Sequence, residues 1–278
     1  RGVTSFALDG SVLLDSGEAL EYAGIAAGHY PELRAENKGV EPEGVLAARY
    51  GPATYLFTGA ERANVVFVDR VSDTGLESVQ ALPSGVAPEG LLAIPERGLF
   101  VIAAEEDAAD DGIRSLVTVF ELTAQPAEYP QILSAGSPPI GWGALSALAA
   151  DRSDAGTLYS VHDSFYSQSR IYTMDVSQTP ARITEETRLL KEGAAVDYDL
   201  EGLAQRAGGG FWAVSEGNAD DRPNLLIEVA ADGSVVQEIT LPPELVANAV
   251  RHGLEGVAVT GSGAAETIHV AFQREWGD

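Results

Sequence analysis

Short apolar runs of strand length follow one another along almost the whole chain, parted by small clusters of Gly, Pro, Asp, Asn and Ser. Alternation with period two and the β-branched and aromatic content of these runs predict strands, and the intervening clusters predict turns. The runs come in pairs: Val45 to Ala48 with Thr54 to Thr58, Leu91 to Ile94 with Leu99 to Ala103, and Ala147 to Ala150 with Thr157 to Val161. Two further pairs are Leu203 to Gln205 with Gly210 to Val214, and Val257 to Val259 with Thr267 to Ala271. A third strand is expected over Asn64 to Asp69, Ser115 to Leu122, Arg170 to Val176 and Asn224 to Ala230. The pattern does not delimit fourth strands. Helical signals are confined to a turn or two at Pro243 to Asn248, and Gly24 to Lys38 reads as a long surface connection.

One phrase precedes each pair: Glu43-Gly44-Val45, Glu89-Gly90-Leu91, Glu201-Gly202-Leu203 and Glu255-Gly256-Val257, with a degenerate copy at Ser146-Ala147-Leu148. Successive copies lie 46, 57, 55 and 54 residues apart, a period that suits four-stranded propeller blades and exceeds that of most helical solenoids. The expected fold is therefore an all-β β-propeller of four-stranded blades. Five blade units start near residues 43, 89, 146, 201 and 255, within a single domain or propeller fragment spanning 1–278. Val3 to Val12 resembles Leu226 to Val235, so residues 1–20 are expected to supply the outer strands of a blade. After Glu255 only two strands fit. Either the two ends complete one blade, or both are cuts through a longer propeller, which is the preferred expectation.

Charge narrows the partners. The 278 residues carry 42 acids against 17 Lys and Arg, a net charge of -25, which argues against nucleic acid and anionic lipid and for cations or cationic partners. With no cysteine there are no disulfides, thiolate metal sites or cysteine nucleophiles. No apolar stretch approaches eighteen residues and the first residue is Arg1, so a chain that does not span a membrane, mature or trimmed, is expected. A nucleophile elbow, a His-Glu-x-x-His motif and a phosphate-binding loop are all absent. The acidic run Glu105 to Gly112 misses the spacing of a helix-loop-helix calcium site.

The recurring acids carry the candidate chemistry. In an antiparallel blade the start of the first strand and the end of the second share one end of the sheet, so Glu43, Glu89, Glu201 and Glu255 are expected beside Glu61, Glu105, Asp163 and Glu216. The first strand lines the channel, which places these acids at one mouth. Two carboxylates about 5 Å apart repel by ~3 kcal/mol at an effective dielectric near 20. Protonation, pairing with Arg, or a bound hard cation such as Ca2+ relieves that repulsion. These eight acids are the candidate metal ligands. A purely structural role is also open, in which each Glu accepts backbone N–H bonds and the following Gly serves a turn. Arg62 and Arg274 sit at the same end, suited either to a phosphate or to a neighbouring Glu. His162, next to Asp163, is the histidine best placed for proton transfer.

The segments Asp199-Leu200-Glu201-Gly202-Leu203-Ala204, Gly210 to Gly217, Gly253 to Val257 and Phe272 to Gly277 resemble the phytase-like domain, "esterase-like activity of phytase", over about residues 140 to 278. Lys38 to Val45, Gly59-Ala60-Glu61-Arg62 and Pro88 to Pro95 resemble the propeller of bacterial choice-of-anchor surface proteins. The first resemblance implies calcium-assisted phosphoester hydrolysis, with Glu43, Glu61, Glu89, Glu201, Glu216 and Glu255 matching the repeated acidic positions and Ser146 departing from them. Both imply a secreted, periplasmic or cell-surface bacterial protein. The expectation is a phosphoric monoester hydrolase or esterase: metal-bound water attacks, Arg62 or Arg274 positions the phosphate and His162 shuttles a proton. The alternative is a non-catalytic surface propeller that binds a protein or glycan, with calcium structural.

Overall fold

Along Pro42–Tyr50 burial alternates residue by residue, the pattern of a sheet with one packed and one wet face. The computed structural model describes residues 2–125, 131–217, 222–249 and 252–276, and it is built almost wholly of such strands. They fall into two compact units, Arg1–Tyr129 and Pro130–Asp278.

The first unit opens with a hairpin of β1 (Thr4–Phe6) and β2 (Val12–Asp15), then helix α1 (Ala19–Ala26). A four-stranded meander follows: β3 (Pro42–Tyr50), β4 (Ala53–Ala60), β5 (Val65–Ser72) and β6 (Gly75–Pro83). Next come β7 (Pro88–Ile94), β8 (Leu99–Ala104) and β9 (Leu116–Glu121), a sheet of three strands among the described residues. The two sheets enclose an aromatic core in which Phe57 stacks on Phe100 with centroids 4.1 Å apart.

The second unit begins with β10 (Ile132–Ser134), followed by β11 (Leu145–Ala150), β12 (Thr157–His162), β13 (Arg170–Asp175) and β14 (Ala181–Arg188). β11 to β14 form a meander, and β10 adds to its outer edge in parallel with β14. The small pair β15 (Leu190–Lys191) and β16 (Ala194–Ala195) leads into β17 (Leu200–Gln205), β18 (Phe211–Ser215), β19 (Leu225–Val229) and β20 (Val235–Thr240). Helix α2 (Pro243–Val246) precedes the closing hairpin of β21 (Leu254–Thr260) and β22 (Thr267–Phe272). These meanders are the four-stranded blades of an all-β propeller fold. Within each unit the first strands of successive blades are neighbours: β3 lies beside β7, and β17 lies between β11 and β21.

The stretch from Gly24 to Lys38 departs from the expected surface connection. Helix α1 runs into it and a 3-10 turn follows at Glu32–Arg34. Leu20 of the helix is buried with Val40, Ala60 and Phe67, so packing against β4 and β5 overrides a weak local signal. The fourth strands that the pattern left open are β6, β14 and β20; their burial is low and irregular, as expected for outer strands.

Candidate metal centre

A single backbone device prepares each blade entrance. The first two strands of every blade slip register by one residue, between Pro42 and Gly44, Pro88 and Gly90, Leu145 and Ala147, Leu200 and Gly202, and Leu254 and Gly256. The residue left out of the ladder is the Glu of each Glu-Gly, or Ser146 in the degenerate copy. A β-bulge of this kind re-aims one side chain and bends its strand. The glycine that follows provides clearance and makes no left-handed turn. A Cβ on Gly202 would stand 2.9 Å from Val257 N and 3.1 Å from the carbonyl carbon of Gly256, and one on Gly44 would stand 3.1 Å from Glu89 O. Glycine thus lets adjacent first strands approach at their bulges.

A second device locks the end of each second strand to the same entrance. The N–H groups of Glu61, Glu105, Asp163, Glu216 and Gln273 donate to the carbonyls of Glu41, Ala87, Ala144, Asp199 and Gly253 at 2.7–2.9 Å. The acceptor is always two residues before the bulge. In two blades that acceptor is itself an acid, Glu41 or Asp199. These are the two members of the acidic groups that sequence reasoning missed, and the signal was an acid two places before Glu-Gly.

In the first unit Glu41, Glu43 and Glu61 bring carboxylate oxygens within 4.8 Å of one another. Here the remedy is cationic side chains. Arg62 Nε donates to Glu41 Oε2 at 2.9 Å, Arg62 Nη2 lies 2.9 Å from Glu61 Oε1, and Lys38 pairs with Glu41. Burial works to raise Glu41, yet the bonds from Lys38 and Arg62 outweigh it and hold the carboxyl below its ordinary range. Burial raises Glu61 against the pull of Arg62. Glu89 and Glu105 are exposed; Glu89 is raised by partial desolvation and then by the charges of Glu105 and Glu43.

The second unit assembles the other set. An antiparallel bridge between Asp163 and Asp199 draws the end of β12 onto the entrance of the next blade, and Asp163, Asp199 and Glu201 place ligand oxygens within 4.8 Å of one another. Fully buried Leu200 anchors the backbone between the latter two. Ser164 Oγ donates to Asp199 Oδ1, and the Asp199 N–H donates to Ser215 Oγ at 3.1 Å. Glu216 Oε1 accepts the Gly253 N–H at 2.9 Å, which ties the end of β18 to the entry of β21. Arg222 Nη1 is 4.0 Å from Asp199 Oδ2 on an exposed side chain.

Among the described residues the basic partner of this set is Arg222, at the 4.0 Å limit of an ion pair with Asp199. Burial, then the charges of Asp163, Glu255, Asp199 and Glu216, push Glu201 up to about 8. Glu255 is raised by burial and by Glu216, Asp163 and Asp199; Asp163 is raised by partial desolvation, then by the hydrogen bond and charge of Asp199. Three carboxylate oxygens within 4.8 Å repel by about 3 kcal/mol per ionised pair at an effective dielectric near 20. The donors are all hard oxygens, and oxygens bound to one Ca2+ at its usual 2.3–2.6 Å lie within about 5 Å of each other. The set fits calcium.

The remaining predicted residues sit elsewhere. His162 is fully buried, with Nδ1 accepting the Phe165 N–H at 3.1 Å and Nε2 bonded to Gln168 O at 3.2 Å. Burial depresses its pKa, and both nitrogens serve the β12–β13 turn. Arg62 belongs to the Glu41 and Glu61 network of the first unit, and Arg274 is exposed beyond β22. Ser146 Oγ donates to Leu200 O, so the degenerate copy ties its bulge to the next one.

Residues 1–74 match the choice-of-anchor I domain. No curated protein matches the chain significantly. Among solved structures, hydrazine synthase of Kuenenia stuttgartiensis is similar at 13% identity and a TM-score of 0.32 over 77% of this chain and 58% of that chain. The periplasmic gluconolactonase of Pseudomonas aeruginosa is similar at 17% identity and 0.24 over 86% of this chain and 62% of that one. The chain thus spans less than two thirds of either protein. Residues 140–278, half of the chain and the part that carries Asp163, Asp199 and Glu201, match the phytase-like family, "esterase-like activity of phytase", and the protein belongs to that family.

Proposed function

We propose that this chain is an extracytoplasmic, calcium-binding propeller that hydrolyses phosphomonoesters or related esters at the second unit's carboxylates. The observation that carries the proposal is the contrast between the two acidic sets. Lys38 and Arg62 pair with Glu41 and Glu61 of the first, whereas the second leaves Glu201 at about 8 beside the charges of Asp163, Glu255, Asp199 and Glu216. Asp163, Asp199 and Glu201 would hold the cation. When bound, calcium offsets charge developing on substrate oxygens and lowers the pKa of water.

The chain's own groups do the rest. Glu201 gives up its proton on loading, and the Ser164 hydroxyl and the Ser215 hydroxyl fix Asp199 for its role. Arg222, at the exposed rim, meets an anionic substrate oxygen. Glu255, whose carboxyl is raised, takes the proton of the attacking water as the ester bond opens, and water adds across that bond. The family description names an esterase-like activity, and secretion or surface attachment accords with the choice-of-anchor match. Among the described residues no helix is long and apolar enough to cross a membrane.

The test is a panel of chromogenic phosphate and carboxylate esters assayed with calcium and with chelator. Turnover that needs calcium and disappears in a folded Glu201→Gln variant supports the proposal. Calcium-dependent stability without turnover of any ester assigns the cation a structural role in a surface propeller that binds a protein or glycan. Loss of neither activity nor stability on chelation removes the metal altogether.

A further inference from the structure

The first unit holds a cavity of about 430 Å³ between its two sheets, away from the acidic entrances. Tyr50, at the opposite end of β3 from Glu43, lines it, and at about 3.4 Å per residue the two residues are roughly 24 Å apart along the strand. The space has a topological cause. β6 is the fourth strand of its sheet, whereas the facing sheet ends at β9 among the described residues, so among those residues no fourth strand stands opposite β6.

The lining is built and not merely left over. Phe57, Phe100 and Phe120 form the floor, with Phe57 and Phe100 stacked and Tyr50 edge-on to Phe57 at 6.2 Å. The Tyr50 hydroxyl is bonded to Leu99 O at 2.6 Å, which fixes its ring. Strand β6 slips register between Ser78 and Gln80 opposite Val68 and Asp69, and Val79 and Gln80, consecutive in sequence, both line the space. In a regular strand neighbours point to opposite faces; the bulge lets both exposed residues border the space. Gln80, Glu121, Thr123 and Gln125 supply the polar part of the wall. A cavity of this size, lined mainly by apolar residues that include five aromatic rings, with a few polar groups, matches the usual make-up of a small-molecule site.

We infer that this cavity is a binding site for a planar aromatic small molecule, uncharged or cationic, whose ring lies against Phe57, Phe100 and Phe120 and whose polar end meets Gln80 and Glu121. Ring-on-ring contact favours flat ligands. Glu121 and the net charge of -25 disfavour anions.

The probe is the neutral dye N-phenyl-1-naphthylamine, titrated by fluorescence against the full chain, with the anionic dye 8-anilinonaphthalene-1-sulfonate in parallel. A saturable, blue-shifted response at micromolar concentrations is expected for the neutral dye, with at least tenfold weaker binding of the anionic one. Val79→Trp and Leu122→Trp fill the cavity from exposed positions and should each weaken the neutral dye at least tenfold, while both variants still unfold cooperatively. Absence of saturable binding, equal binding of the two dyes, or unchanged affinity in both Trp variants overturns the inference. Glu201→Gln, in the other unit, should leave dye affinity unchanged.

Discussion

Replacing Glu201 with glutamine should change protein stability in opposite directions with and without calcium. In the metal-free chain Glu201 ionises near 8 where an ordinary glutamate does so near 4.5. The folded state therefore keeps its proton through a pH range in which the unfolded chain has already lost it. Stability falls as pH rises from about 4.5 to 8, because the folded state binds more protons there. Without solvent screening the loss would reach about 5 kcal/mol; partial exposure of the side chain reduces it to roughly 1–2 kcal/mol. Glutamine carries no such penalty. In chelator, Glu201→Gln should match the parent at pH 4.5 and exceed it by about 1–2 kcal/mol at pH 8.5. With calcium the order reverses: a ligand at a hundred times its dissociation constant stabilises the parent by about 2.7 kcal/mol, and the variant forfeits most of that. Urea denaturation at pH 4.5, 7 and 8.5, with and without calcium, reads all of these differences. A variant less stable than the parent in chelator at pH 8.5, or one equally stabilised by calcium, would refute the reasoning.

Four further outcomes follow. Asp199→Asn should weaken calcium at least tenfold by titration calorimetry, whereas Glu41→Gln should leave it within twofold, because Glu41 is already paired with Lys38 and Arg62. Arg62→Ala leaves the buried Glu41 and Glu61 facing each other and should cost about 1–3 kcal/mol at pH 8, and less at pH 4 where the carboxylates begin to protonate. Gly202→Ala drives a Cβ to 2.7 Å from Val214 Cγ2 and 2.9 Å from Val257 N; it should cost about 1–3 kcal/mol in denaturation and reduce calcium affinity, while Gly208→Ala, with nothing within 4 Å, stays within 0.5 kcal/mol. Calcium affinity of the parent chain should rise with pH between about 5 and 8, since the ligands Asp163 and Glu201 both have raised carboxyls that must lose protons to bind.

The sequence carried the blades because their signals are local and repeated. Alternating burial along β3 and the Glu-Gly period are properties of consecutive residues. The bulge was not legible, since nothing in Glu-Gly distinguishes a residue inside the ladder from one outside it. Asp199 and Glu41 were missed for a related reason: their importance comes from hydrogen bonds to the ends of other strands. His162 looked chemically useful beside Asp163, but burial and two backbone partners occupy its ring. The fate of Arg62 depended on which carboxylates the fold set within reach, a long-range outcome that spacing alone does not contain. Helix α1 was concealed because its apolar residues form no buried stripe, Leu20 and Gly24 being the buried ones.

Because the bulged residue is left out of the ladder between the first two strands of its blade, its side chain is decoupled from the framework that presents it. Four blades seat a glutamate there and one seats a serine, on the same backbone. Each entrance thus behaves as an interchangeable socket: the charge displayed at the rim can be rewritten one blade at a time while the strands beneath keep their pairing. Such a frame allows the carboxylates within each unit to be varied by single substitutions.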